Sequence, residues 1–320
     1  MKSITILGAG KSGLALAHAL RAKGSQAPIT IIDKNLYFLD KKEFISSFSF
    51  DTRIDRGTLA KDAGIAFVQA TVERVNPSRK KIYRKEGEPC DYETLVVATG
   101  LAQVPATFKG DYREGFFYCA RMDPFRVKEF LKISSEATVI AGTFLGLKLV
   151  LALQGSGKEV TVVGGSWDYL GDYRERIVEW LRQRGIIVYQ NAIVEDVIGE
   201  GTVKAVKIAP LKVFSSQLVF LDGGYSAQCD FFEEPPVITD TFSCQYPDIY
   251  FLGDAARQGI ADECFYAFNN KEAVACAQLL AEYIRGGPFP VFSHRVLTSF
   301  DKNALIEDFL NNPLARVAQE

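Results

Sequence analysis

The chain opens on an apolar run, Ile4 to Leu7, which enters the turn Gly8-Ala9-Gly10-Lys11-Ser12-Gly13 and leaves as an alanine- and leucine-rich stretch with helical spacing. A second apolar run, Ile29 to Ile32, ends on Asp33, twenty residues past Gly13. This pattern predicts strand, turn, helix, strand. Residues 35–64 are irregular and aromatic, with Tyr37, Phe38, Phe44, Phe48 and Phe50, and are expected to cover core. Ile65 to Val72 reads as one strand, and Lys81-Ile82-Tyr83 precedes a turn at Glu86-Gly87-Glu88-Pro89. Thr94 to Val97 is a buried strand closing on Ala98-Thr99-Gly100.

The opening pattern then recurs. After a helical stretch from Met122 to Ile133, a strand at Thr138-Val139-Ile140 meets the turn Ala141-Gly142-Thr143-Phe144-Leu145-Gly146. A helix over Leu147 to Leu153 and a strand at Val160 to Val163 complete the unit. An internal duplication explains this order. Ile177 to Arg184 predicts another helix, and Ile186 to Tyr189, Val203 to Ile208 and Gln217 to Leu221 predict strands. Ile249 to Leu252 is a buried strand ending on Gly253-Asp254, followed by a helix over Asn269 to Ile284. In the tail, Leu305, Ile306, Phe309 and Leu310 line one face of a short helix, expected to dock on the protein or on a partner.

A length of 320 residues suits two domains, and 48% hydrophobic content supplies their cores. Lys+Arg 37 against Asp+Glu 39 gives a net charge of −2, which argues against nucleic acid as a partner. No run has the length of a membrane span and no secretory leader is read, although peripheral membrane contact stays open. Six scattered cysteines with no C-x-x-C fit reduced thiols and a cytoplasmic setting, and offer no metal-ligand spacing. Of two histidines, His18 falls in the first helix and is expected to pack there.

The first unit carries the dinucleotide fingerprint in its required context. Gly8 serves the tight turn, Gly10 the close approach of a pyrophosphate, and Gly13 the packing of helix on strand. The helix presents free N–H groups to the phosphates, and Asp33 accepts hydrogen bonds from a ribose.

Gly8 to Gly13, Asp33, Val96-Val97-Ala98-Thr99-Gly100 and Phe251-Leu252-Gly253-Asp254, in that order, resemble the flavoprotein superfamily with two dinucleotide-binding domains. Its pyridine nucleotide-disulfide reductases, type-II NADH dehydrogenases and sulfide:quinone reductases are the members in view, and the resemblance covers residues 1 to about 290. It implies an α/β fold of two Rossmann-like domains, the second inserted in the first, with a short C-terminal tail. The implied division is an FAD-binding domain at 1–105 and 232–292, an NAD(P)-binding-like domain at 106–231 and a tail at 293–320. FAD is the implied cofactor. By resemblance Asp254, beside Gly253, meets the ribityl chain, Ala98, Thr99 and Gly100 lie by the flavin nucleotide, and Val72 meets the adenine. Lys34, next to Asp33, joins this set. Thr30 to Asn35 with Tyr37-Phe38, and the helix near Asp123 to Leu131, point toward the membrane-associated NADH and sulfide dehydrogenases. Phe265 and Asn269 replace that branch's glutamines, which argues against quinone reduction. Cys119 is followed at Met122 by no second cysteine, so disulfide reduction is not expected. Cys119 and Cys264 are left either to meet near the flavin or to pack, with packing favoured.

The second turn departs from the fingerprint. Ala141 and Thr143 replace two glycines, Gly164 stands where the acid belongs, and Lys148 replaces the family's glutamate. Arg174 and Arg176 are the cations near enough to serve NADP, but they fall in a helix start. Two readings remain open. The chain is an FAD-dependent oxidoreductase passing electrons from NAD(P)H or another donor to a small-molecule or protein acceptor, with Glu263 and Lys271 the first polar residues to test. Alternatively it is an FAD-binding structural or regulatory subunit with a degenerate NAD(P)H site, using Phe265, Tyr266, Phe268 and the tail as a partner or oligomer surface. No catalytic residue is assigned.

Overall fold

The computed structural model describes residues 2–38, 44, 48, 54–55, 61, 63–239, 242–256, 270–288 and 302–311. Two five-stranded sheets, parallel throughout, organise them. The first runs Ile249–Phe251, Thr94–Val97, Ile4–Leu7, Ile29–Asp33, Ala66–Gln69. The second runs Phe116–Tyr118, Leu218–Asp222, Glu136–Ala141, Glu159–Gly164, Ile187–Tyr189. In each, the strand that feeds a glycine turn is central, so the duplication read in the sequence is also one of topology. The helices are α1 (Lys11–Ala22), α2 (Pro124–Ile133), α3 (Phe144–Gly155), α4 (Arg174–Gln183), α5 (Asn270–Ile284) and α6 (Lys302–Asn311).

Pleating sends alternate side chains to opposite faces. Ile4, Ile6 and Val96 pack with Leu16, Leu20, Ala277 and Leu280, under paired helices α1 and α5. Leu7, Leu95 and Val97 point the other way, toward Val75, Ile82 and Phe232. The second sheet repeats the device: Val139, Val162 and Phe220 join the core beneath α3 and α4, while Val163 and Val219 meet Val197 and Val206. Burying one such side chain is worth about 1.5–3 kcal/mol, so a one-residue slip of either central strand is strongly disfavoured.

Several boundaries differ from the expected ones for local reasons. Ile65 to Val72 is not one strand: Ala66–Gln69 stays in the parallel sheet and Val72–Asn76 turns into an antiparallel sheet with Lys81–Arg84 and Cys90–Asp91. The break falls where the neighbouring strand ends, its Asp33 carbonyl accepting the Ala70 N–H at 3.0 Å. The expected strand Val203 to Ile208 belongs, as Ala205–Ile208, to another antiparallel sheet with Val194–Ile198 and Lys212–Ser215. Helix α2 starts at Pro124 because the Asp123 carboxylate accepts the Phe125 N–H, a cap followed by proline at the first helical position. Helix α3 starts three residues earlier than its apolar spacing predicts, because the Thr143 hydroxyl oxygen accepts the Leu145 N–H. His18 is exposed on α1, contrary to the packing role expected of it.

The C-terminal helix packs against the second unit. Ile306, Phe309 and Leu310 are buried there, with the Phe309 ring 5.0 Å from Phe144 and 5.3 Å from Trp180. The stripe expected to face the protein or a partner is therefore buried in its own chain, and these three side chains are not a free oligomer surface. Among the described residues no helix is long and apolar enough to cross a membrane, and no cluster of ligating side chains suits a metal ion.

Candidate functional site

At the first turn the glycines divide by what surrounds them. Gly8 has φ +100°, and a Cβ there would run into the Ala98 carbonyl. A Cβ on Gly13 would meet the Gly8 carbonyl oxygen. Both positions are set by backbone packing. Gly10 is different: a Cβ would have nothing within 4 Å, so the turn is open on that side. Gly10 is also the N-cap of α1, where it brings no side chain to cap the helix, and no acid lies in the first turn. Such a helix start favours an anion.

The neighbours converge on this opening. The Asp33 carboxylate accepts the Ala9 N–H at 2.7 Å and the Asn35 N–H at 2.9 Å, which holds it across the turn. Gly253, at φ +67°, abuts Ser12 so closely that a Cβ would collide with the Ser12 side chain. Asp254, half-buried in the short helix Gly253–Ala256, is thereby brought beside the first turn of α1, although 240 residues separate it from the glycine motif. On the adjacent strand exit, the Thr99 hydroxyl donates to the Gln228 carbonyl at 2.6 Å, and Gly100, at φ +75°, again has open space at its Cβ position. Ala98 is buried and donates its N–H to the Leu7 carbonyl. Lys34 is exposed, and Val72 is half-buried just past the strand paired with Asp33. Glu263, Cys264, Phe265, Tyr266, Phe268 and Asn269 lie outside the described residues, as does the Lys271 side chain.

The second turn likewise leads from a central strand into a helix start, but its contents differ. Leu7 is in register with Val97, and Ile140 with Leu221, so Ala98 in the first unit and Asp222, the last residue of its strand, in the second stand at corresponding places. The Asp222 side chain reaches into the turn. It accepts the Thr143 N–H at 2.9 Å, the Gly146 N–H at 2.9 Å, the Thr143 hydroxyl at 2.8 Å and the Tyr225 hydroxyl at 2.7 Å. It is fully buried, and desolvation raises its pKa above the usual carboxylate value while these hydrogen bonds pull the other way. Burial raises the Tyr225 phenol well above its ordinary value too, with the Asp222 charge adding to the effect. Gln103 clamps the segment, donating to the Leu221 and Gly223 carbonyls at 2.7 and 2.9 Å.

Trp167 fills the other half of this site. Its indole N–H donates to the Ala141 carbonyl at 2.8 Å, and the ring lies where any Cβ on Gly164 would be. Arg174 pairs with Asp168 and Glu175, and Arg176 with Glu307 of α6, so each is engaged in the helix start where the sequence places it. The Lys148 ammonium lies over the Phe144 ring. Cys119 is buried in the core of the second unit, consistent with packing, and no disulfide joins the described cysteines. Sequence reasoning missed Asp222, Trp167, Tyr225 and Gln103. The available signal was a carboxylate ending an apolar strand before Gly223-Gly224.

Fold and first turn together define a protein of two dinucleotide-type α/β units. The chain belongs to the pyridine nucleotide-disulphide oxidoreductase family, whose model matches residues 2–272. It is 22% identical over 288 residues to an NADH oxidase of Enterococcus faecalis, covering 79% of this chain and 63% of that protein. A nitric oxide reductase FlRd-NAD(+) reductase of Vibrio vulnificus is 25% identical, with 79% of this chain and 72% of that protein covered. The structure of an NAD-dependent persulfide reductase from A. fulgidus aligns with a TM-score of 0.75 at 20% identity, over 90% of this chain and 59% of that one. The chain thus spans somewhat less than two thirds of the NADH oxidase and of the persulfide reductase.

Proposed function

We propose that the first unit holds FAD and that the chain is an FAD-dependent oxidoreductase, passing electrons from a reduced nicotinamide or another donor to a small-molecule or protein acceptor. The proposed division is an FAD-binding domain at 1–105 and 232–292, an NAD(P)-binding-like domain at 106–231 and a tail at 293–320. The carrying observation is the uncapped start of α1 at Gly10, open to its surroundings and flanked by Asp33 on one side and Gly253-Asp254 on the other. A dinucleotide needs all three: N–H donors for a diphosphate, an acid for a ribose, and a second polar group further along its length.

Gly8, Gly10 and Gly13 shape the phosphate turn, Asp33 and Lys34 take the ribose end, and Val72 takes the adenine side. Ala98, Thr99, Gly100, Gly253 and Asp254 line the path toward the flavin. The bound cofactor supplies the electron-transfer chemistry, and these residues orient it. Relatives that are NADH oxidases or NAD(+) reductases by name support the electron-transfer reading. The second reading, an FAD-binding subunit with a degenerate nicotinamide site, is favoured by one observation: the Asp222 carboxylate inside the second turn.

The visible spectrum of the purified protein tests the cofactor, and anaerobic addition of NADH or NADPH tests the donor. A yellow protein bleached by either supports the enzyme. A yellow protein bleached by neither excludes a nicotinamide donor and leaves another donor or the subunit, and a colourless protein overturns both.

A further inference from the structure

We infer that Asp222 and Trp167 close the second dinucleotide turn, so that this unit takes no nicotinamide dinucleotide in the seat its fold provides. A diphosphate on such a turn is held by the backbone N–H groups at the helix start. Here two of those groups, Thr143 N–H and Gly146 N–H, already donate to Asp222, and the Thr143 hydroxyl does the same. An incoming phosphate would have to take those donors from the carboxylate, leaving it buried with the Tyr225 hydroxyl as its remaining described donor. That cost is several-fold larger than one exchanged hydrogen bond.

A second, independent group blocks the neighbouring position. In an open unit, the residue at the end of the second strand is an acid facing a ribose, as Asp33 is placed in the first unit. In the second unit that residue is Gly164, and the Trp167 indole occupies the space a side chain there would need. Trp167 is 3% exposed, with φ 52°, an uncommon backbone state for a bulky residue that its buried ring and indole hydrogen bond hold in place. The plug is braced as well: Gln103 fixes the backbone on both sides of Asp222, and Tyr225 holds its other oxygen. If the first unit carries a flavin, its electrons come from a donor that does not seat on this turn. That clause rests on the proposed function; the closure does not.

The chain's two tryptophans, Trp167 and Trp180, both lie in the second unit, so their fluorescence reports on it locally. The full-length, flavin-loaded protein is titrated with NADH and with NADPH, following tryptophan quenching and sensitised dihydronicotinamide emission. The wild type is expected to show no saturable change up to millimolar nucleotide. Asp222→Ala is expected to gain saturable binding, tightened by at least about tenfold. Thr143→Gly, which removes one partner of the plug and carries less risk to folding, is expected to gain severalfold. Saturable micromolar binding by the wild type overturns the inference. So does a folded Asp222→Ala or Thr143→Gly protein as blind to nucleotide as the wild type. A colourless preparation counts against the flavin reading alone, and the titration is then run in a Gly10→Val background to silence the first turn.

Discussion

The two glycine turns share a place in the topology, between a central strand and a helix, and differ in what fills them. In the first, Ala98 stands at the end of the neighbouring strand, and Gly10 brings no capping side chain to the helix start and faces open space. In the second, the corresponding residue is Asp222, the helix is capped by Thr143, and a tryptophan covers the end of the next strand. Unsatisfied helix N–H groups need an acceptor. One turn keeps that place open, whereas the other fills it from its own chain. A Rossmann shape is thus compatible with either outcome, and the choice is made by a few side chains at the strand ends.

The sharpest way to break this contrast is to crowd the first turn. Gly8→Val places a branched side chain against the Ala98 carbonyl at a positive φ, and is expected to cost about 3–5 kcal/mol by urea titration. Gly10→Val, with open space around it, is expected to leave the melting temperature nearly unchanged and to lower only the flavin recovered on purification. Equal destabilisation by the two would remove the distinction between packed and open glycines.

In the second turn, Trp167→Ala empties a buried site and is expected to cost about 3–5 kcal/mol. Asp222→Ala removes the acceptor of the Thr143 N–H and of the Tyr225 hydroxyl and leaves the Gly146 N–H with the Thr143 carbonyl at 3.2 Å, for a loss of about 2–4 kcal/mol by the same measurement. A stability unchanged by Asp222→Ala would mean that water readily serves those donors, and the plug would then have no energetic basis.

A smaller effect comes from Asp33→Asn. It keeps the shape of the side chain but removes its charge, and should weaken flavin retention by about tenfold, read by dialysis against apoprotein. The smallest is a pH dependence. Burial raises the folded pKa of Asp222, so the native state holds its proton more firmly than the unfolded chain does. Its stabilising contribution is complete below the unfolded carboxylate value, near about 4, and is lost as pH rises through the folded value. Asp222→Asn should flatten that part of the stability profile, and identical profiles for the two proteins would contradict the raised value.

The sequence alone determined the first unit, the duplication and the missing pieces of the second fingerprint. Those features are local: a strand's alternation, a helix's spacing and a glycine's freedom are all written within a dozen residues. Ala141, Thr143 and Gly164 could be seen to depart from the motif for the same reason. What replaced the lost ligand contacts could not be seen, because Asp222 lies 79 residues from Thr143 and reaches it only through strand register. The tertiary structure likewise decided that Gly253-Asp254 stands beside Ser12, and that Phe309 of the C-terminal helix packs on Phe144 rather than facing outward. Short-range pattern fixes which face of an element is apolar; only the assembled sheets decide which distant side chain ends in which turn.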